Sequence, residues 1–166
     1  MYEEGMSIIV AKRPRIPTQC LDPKVKSLNY MNNILGKIEA IDAGVLEALM
    51  LNIEGKVAEC TGDNIFIIKD GIIATPPVES GILHGITRRF VIDDIAPTLG
   101  YTVEERDIEL EEVMAADEVF LTGTAAEVIG VSHIGDTAIG CSKVGPITHA
   151  FVEEFRNRVA QAAPED

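Results

Sequence analysis

Basic residues are scarce in this chain. Lys and Arg number 14 against 27 Asp and Glu, for a formal charge of −13. Such a surface repels a phosphate backbone, so nucleic acid is excluded as a partner. It also does nothing to draw an anionic ligand from afar, so any phosphate must meet a local site. Apolar runs of bilayer-spanning length are missing, so no membrane partner is expected and the chain reads as soluble. The opening Met1-Tyr2-Glu3-Glu4-Gly5 lacks the basic region and apolar stretch of a secretory leader. Cysteines are few. Cys20, Cys60 and Cys141 are widely spaced, odd in number and contain no Cys-x-x-Cys pair. Free thiols in a reducing cytoplasm fit that usage. His84, His133 and His149 are scattered, with no spacing that sets two on one helix face beside a carboxylate, so no metal centre is expected. Internal repeats, low-complexity tracts and linkers are absent as well.

What remains is one domain of 166 residues with a hydrophobic fraction of 46%, enough for a full core. Ser7-Ile8-Ile9-Val10-Ala11 reads as a buried strand, and Arg13-Pro14-Arg15-Ile16-Pro17 forces an extended connection. From Ser27 to Ala43, Leu28, Met31, Ile34, Leu35, Ile38 and Ile41 fall at helical spacing, with Ser27 a candidate cap and Gly44 a stop. Lys26 then stands just before a helix. Strands are expected over 47–52, 56–59, 64–69 and 71–75, the last two joined by the hairpin signal Asp70-Gly71. A Pro/Gly-rich loop over 76–85 leads to a helix from Ile86 to about Leu99, its last turn weakened by Pro97 and stopped at Gly100. Residues 102–107 alternate like a strand, 110–116 form a short helix, and 118–122 and 128–134 are strands flanking Gly123-Thr124-Ala125-Ala126. A last helix runs from Pro146 to about Ala163, with Ile147, Phe151, Phe155 and Val159 on one face. The mixture is α+β.

Four segments carry possible chemistry. Lys24 and Lys26 are two apart, so in an extended segment they point the same way. A lysine amine attacks a carbonyl only when unprotonated, and the pattern alone does not choose between these two or against solvated surface lysines. Glu59 ends an apolar strand, and a buried carboxylate there needs a partner. Gly85-Ile86-Thr87 opens a helix, where free N–H groups and the helix dipole suit a phosphate; a plain cap is the alternative. Gly123-Thr124-Ala125-Ala126 is either a tight turn or a place where backbone amides approach a ligand.

Together the runs Lys26-Ser27-Leu28-Asn29-Tyr30, Glu59-Cys60-Thr61-Gly62-Asp63-Asn64-Ile65-Phe66, Gly85-Ile86-Thr87-Arg88, Gly123-Thr124-Ala125-Ala126-Glu127 and Gly145-Pro146-Ile147-Thr148 resemble the larger, C-terminal domain of class IV pyridoxal-phosphate aminotransferases, the branched-chain group in particular. The resemblance implies the pseudo-barrel of the fold-type IV enzymes over residues 7–166, with 1–6 a disordered or residual interdomain segment. It implies pyridoxal 5′-phosphate as cofactor, and amino acids and 2-oxo acids as substrates. Lys26 would form the Schiff base and move the substrate α-proton. Tyr30 would bond the ring hydroxyl, Glu59 the ring nitrogen, and Ile86, Thr87 and Thr124 the phosphate. The amides of Thr124 and Ala125 would face the substrate carboxylate.

Transamination of branched-chain amino acids with 2-oxoglutarate is the implied reaction, in a cytoplasmic homodimer or higher homo-oligomer. A D-amino-acid aminotransferase, an aminodeoxychorismate lyase on the same scaffold and a non-catalytic module are the alternatives. The family pattern departs at Val128-Ile129-Gly130-Val131, where Thr-Pro is usual before the valine, and an effect on packing is expected. It departs again at the start, where a domain supplying a phosphate-binding arginine is expected and not found. On that ground the chain alone is expected to bind cofactor weakly and turn over slowly or not at all.

Overall fold

The computed structural model describes residues 3–162. Among these residues nine strands form one mixed sheet: β1 (Met6–Val10), β2 (Glu47–Leu51), β3 (Val57–Cys60), β4 (Asn64–Lys69), β5 (Ile72–Thr75), β6 (Val103–Glu105), β7 (Glu118–Gly123), β8 (Glu127–Ile134) and β9 (Thr137–Ala138). Their order is β3-β2-β1-β8-β7-β4-β5-β6, with β9 on β8. β1 runs parallel to both β2 and β8, and β5 parallel to β6; the other pairs are antiparallel. β9 carries no signal in the sequence, being two exposed residues that pair at the sheet's margin.

The α+β pseudo-barrel expected from the sequence is present. Ile8, Leu49 and Val57 of β1–β3 share one apolar cluster with Ile65, Ile67, Val119 and Leu121 of β4 and β7. Strands at opposite ends of the order meet there because the sheet curls, as twisted sheets of this width do. Strand alternation sends the intervening residues Phe66, Ile68 and Phe120 to the outer face. There they meet two helical layers. The first is α2 (Ile86–Phe90), a π-helical stretch Val91–Ile95 and α3 (Ala96–Thr98), which together form an unbroken helical run over 86–98. The second is α5 (Pro146–Ala162). The rings of Phe66 and Phe120 stack with centroids 4.7 Å apart, and Phe151 tilts against Phe120 at 5.5 Å.

Several local expectations hold. Asp70 and Gly71 both take positive φ, 50° and 77°, as a two-residue hairpin turn requires. The π-helical stretch sits just before Pro97, which cannot donate a helical hydrogen bond and crowds the carbonyl four residues back. Widening the ladder to i→i−5 relieves that crowding, as in the bond from the Ala96 N–H to the Val91 carbonyl. α4 (Leu110–Met114) carries a reciprocal capping box between Glu109 and Glu112. The start of α5 is held by Glu118, whose two carboxylate oxygens accept the N–H groups of Ile147 (3.1 Å) and Thr148 (2.7 Å).

Two expectations need correction. The first helix is α1 (Met31–Asp42), not a helix from Ser27. The Ser27 hydroxyl accepts the Asn29 N–H at 3.2 Å, closing a local turn rather than capping a helix. Lys26 therefore lies in a chain of turns five residues before the helix. The face of α1 is also reversed. Asn33, Gly36 and Ala40 are buried, while Met31, Ile34, Ile38 and Ile41 are 45–62% exposed. Small residues let α1 sit close on β2: a Cβ at Gly36 would lie 3.2 Å from Thr61 and 3.3 Å from Met50. In α5, Phe151 is buried and Ile147 and Phe155 are half-buried, but Val159 has already left the core at 48% exposure.

Candidate active site

The site forms where four elements end together. β3 delivers Glu59 and turns through Thr61-Gly62-Asp63 into β4. That turn is fixed by Glu47, itself buried. One Glu47 oxygen accepts the N–H of Ala48 (2.8 Å) and both the N–H (3.0 Å) and hydroxyl of Thr61; the other accepts the Gly62 N–H at 3.1 Å. β4 begins at Asn64, which pairs across the sheet with Thr122 of β7. β7 ends in the turn 124–126, closed by Glu127 in the left-handed region (φ 57°). The loop before α2 brings Leu83, Gly85, Ile86 and Thr87 alongside.

Glu59 is the anchor. Its Oε1 receives Arg15 Nη2 at 2.7 Å, and its Oε2 receives Asn64 Nδ2 and the Leu83 N–H, both at 3.0 Å. Arg15 is held in turn by Asn33 Oδ1 at 2.7 Å. Burial pushes the Glu59 carboxyl up to about 7, against the opposing pull of Arg15, of the Leu83 N–H and of Lys26. Burial, with Glu47 close by, likewise lifts Asp63 to about 6. Cys60 is buried and its thiol is pushed well above its ordinary value, mainly by desolvation. A nucleophilic role for it is thereby disfavoured.

Lys26 joins the two halves of the site. It lines a small cavity with Glu59, Tyr30, Asn33 and Leu83. It also lines a larger one, of about 290 Å³, with Asn64, Gly85, Thr87, Thr122 and Thr124. Its charge is felt by both Glu59 and Asp63. Lys24 borders only the larger cavity of these two. Of the residues expected from the sequence, Lys26, Tyr30, Glu59, Ile86, Thr87 and Thr124 all border these two cavities. Ala125 does not; it is exposed in the turn beyond Thr124.

Two glycines leave room for neighbouring side chains of the site. A Cβ on Gly85 would collide with Asn64 Oδ1, and one on Gly123 with Asp63 Oδ1. Arg15, Asn64, Leu83 and Glu47 escaped the sequence reading. The one signal for Arg15 was the need of a buried carboxylate for a cation; Leu83 acts through its backbone and left none.

The class of protein follows from comparison. Residues 1–134 match the family model of amino-transferase class IV, and the chain belongs to that family. It is 44% identical over 131 residues to the branched-chain-amino-acid aminotransferase of Pseudomonas aeruginosa, covering 79% of this chain and 42% of that one. It is 38% identical over 141 residues to the D-alanine aminotransferase of Listeria monocytogenes, 85% of this chain and 48% of that one. Among solved structures, the branched-chain amino acid aminotransferase of Thermobaculum terrenum in its PLP-form superposes with a TM-score of 0.91 at 38% identity, covering 96% of this chain and 52% of the other. The chain spans about half the length of these relatives.

Proposed function

We propose that residues 7–166 form a domain that binds pyridoxal 5′-phosphate and takes part in transamination of branched-chain amino acids with 2-oxoglutarate. The observation that carries this reading is the position of Lys26 between a buried acid and a hydroxyl-lined cavity at a helix start. The residues present fit the cofactor. Glu59 has three donors on a carboxylate that offers about four lone-pair sites, so a ring N–H can still be accepted. Gly85, the cap of α2, takes no side-chain cap bond, which leaves amides of the first turn for a phosphate.

When bound, the cofactor supplies an electron sink for a carbanion at the substrate α-carbon. Lys26 Nζ would hold the cofactor at its aldehyde carbon, and as a free amine would move the substrate α-proton. Glu59, steadied by Arg15, would keep the ring nitrogen protonated. Tyr30 would bond the ring hydroxyl. Ile86 and Thr87 would hold the phosphate with Thr124, and the backbone amides of Thr124 and of the exposed Ala125 would receive the substrate carboxylate.

Only Lys24 and Lys26 bring positive charge to the larger cavity among the described residues. On that basis the chain alone binds cofactor weakly and turns over slowly. Self-association belongs to the same reading, with the exposed apolar stripe of α1 as the surface a second copy would cover. Sedimentation of the purified chain tests it.

The likeness to D-alanine aminotransferase favours a second reading, with D-amino acids as substrates. Incubation with L-leucine or D-alanine, followed by detection of the 2-oxo acid formed, separates the two. Product from L-leucine alone supports the branched-chain reading, and product from D-alanine alone replaces it.

A further inference from the structure

The first turn of α1 grips Arg15 from two sides. Asn32 brackets its backbone: Asn32 Nδ2 donates to the Pro14 carbonyl and Asn32 Oδ1 accepts the Ile16 N–H, both at 3.0 Å. Asn33 holds its guanidinium. Asn33 is 8% exposed; its Oδ1 accepts Arg15 Nη1 at 2.7 Å, and its Nδ2 donates to the Thr61 carbonyl at 2.8 Å. Arg15 Nη2 then meets Glu59 Oε1 at 2.7 Å. Only an amide makes both Asn33 bonds. An aspartate could not donate to Thr61, and an aliphatic residue could do neither. The guanidinium is planar and rigid, so pinning Nη1 also fixes where Nη2 points. Thr61 lies two residues beyond Glu59, in the turn out of β3, so one side chain ties down both the cation and the strand end that carries the acid.

We propose that Asn33 is a positioning residue: it aims Arg15 at Glu59 and so steadies the acid that faces the ring nitrogen of the cofactor. This rests on the reading of Glu59 given above and deepens it. The charged and titratable groups that face Glu59 are Arg15, Lys26, Asp63 and the neighbouring Cys60 thiol. Arg15 is the strongest charge among them, so its aim matters more than that of the others.

Titration of the Glu59 carboxyl by carbon NMR, on the cofactor-free chain, tests the proposal. In Asn33→Ala the midpoint should rise by about one pH unit, an about tenfold loss of acidity, because Arg15 no longer points at the carboxylate. Asn33→Ser opens a smaller void and carries the same test if the alanine variant does not fold. Ala40→Gly loosens the buried face of α1 about two turns away from Asn33. It should lower the thermal midpoint and leave the titration where it was. Calorimetry adds a second readout. Pyridoxal 5′-phosphate should bind about tenfold more weakly to the Asn33 variant, and its deaza analogue, with a C–H in place of the ring nitrogen, should bind unchanged. An unmoved midpoint in the folded Asn33 variant, an equal shift in Ala40→Gly, or equal weakening for both ligands overturns the assignment. A wild-type chain that binds neither ligand while the midpoint still moves in the variant sinks the cofactor reading and leaves the aim of Arg15 standing.

Discussion

Replacing Arg15 with leucine should cost stability in a pH-dependent way. Arg15 and Glu59 are both about 5% exposed and their atoms meet at 2.7 Å. With an effective dielectric of about 20, that separation corresponds to roughly 6 kcal/mol of attraction before desolvation is counted. Removing one partner of such a buried pair typically costs about 3–5 kcal/mol. The cost depends on whether Glu59 is charged. Its carboxyl is raised to about 7 from an ordinary 4.5, so the stability this group contributes is complete below about 4.5 and is lost as pH rises through about 7. Without Arg15 the folded value climbs further, because the largest opposing influence is gone. The variant then sheds stability over a wider range than wild type, and the gap between them opens at and above about pH 7. Urea unfolding should give a deficit of about 1–2 kcal/mol of lost hydrogen bonding and packing at pH 5.5, growing to about 2–3 kcal/mol at pH 8, because one group opens the gap by at most about 1.4 kcal/mol per pH unit above 7. An equal deficit at both values would show that Arg15 acts through packing alone, and the electrostatic account of the anchor would be wrong.

Three further outcomes follow from the same geometry. Gly85→Ala should displace Asn64 from its bond to Glu59 Oε2 and weaken pyridoxal 5′-phosphate binding at least tenfold, read by equilibrium dialysis. Gly123→Ala should push Asp63 off the β7 end and disturb the turn at Thr124. A hydrogen-exchange map should show faster exchange at 61–64 and 122–127, and unchanged exchange there would contradict the steric reading. Phe120→Ala removes a ring stacked on Phe66 and tilted on Phe151, and should cost about 3–5 kcal/mol by urea unfolding.

Much of the fold was legible because β4, β5, β7 and the helical run over 86–98 carry strong local signals: short apolar runs, an Asp-Gly turn and a glycine stop. α1 was misjudged in two respects for physical reasons. Ser27 looks like a cap, but a hydroxyl that closes an Asn29 turn looks the same in sequence. The period of Met31, Ile34, Ile38 and Ile41 marks a helix without telling which face meets the sheet, and Gly36 and Ala40 won that contact by being small. At the site, Lys26, Glu59 and Thr87 were readable through motif order. The acid's partners were not, because Arg15 lies 44 residues away and Leu83 contributes only its N–H.

Borohydride reduction in the presence of pyridoxal 5′-phosphate, followed by peptide mass mapping, tests the central claim most directly. The account predicts a phosphopyridoxyl adduct on Lys26 that disappears in Lys26→Ala and does not move to Lys24. An adduct on Lys24 alone, or labelling spread over surface lysines and unaffected by Lys26→Ala, would contradict it.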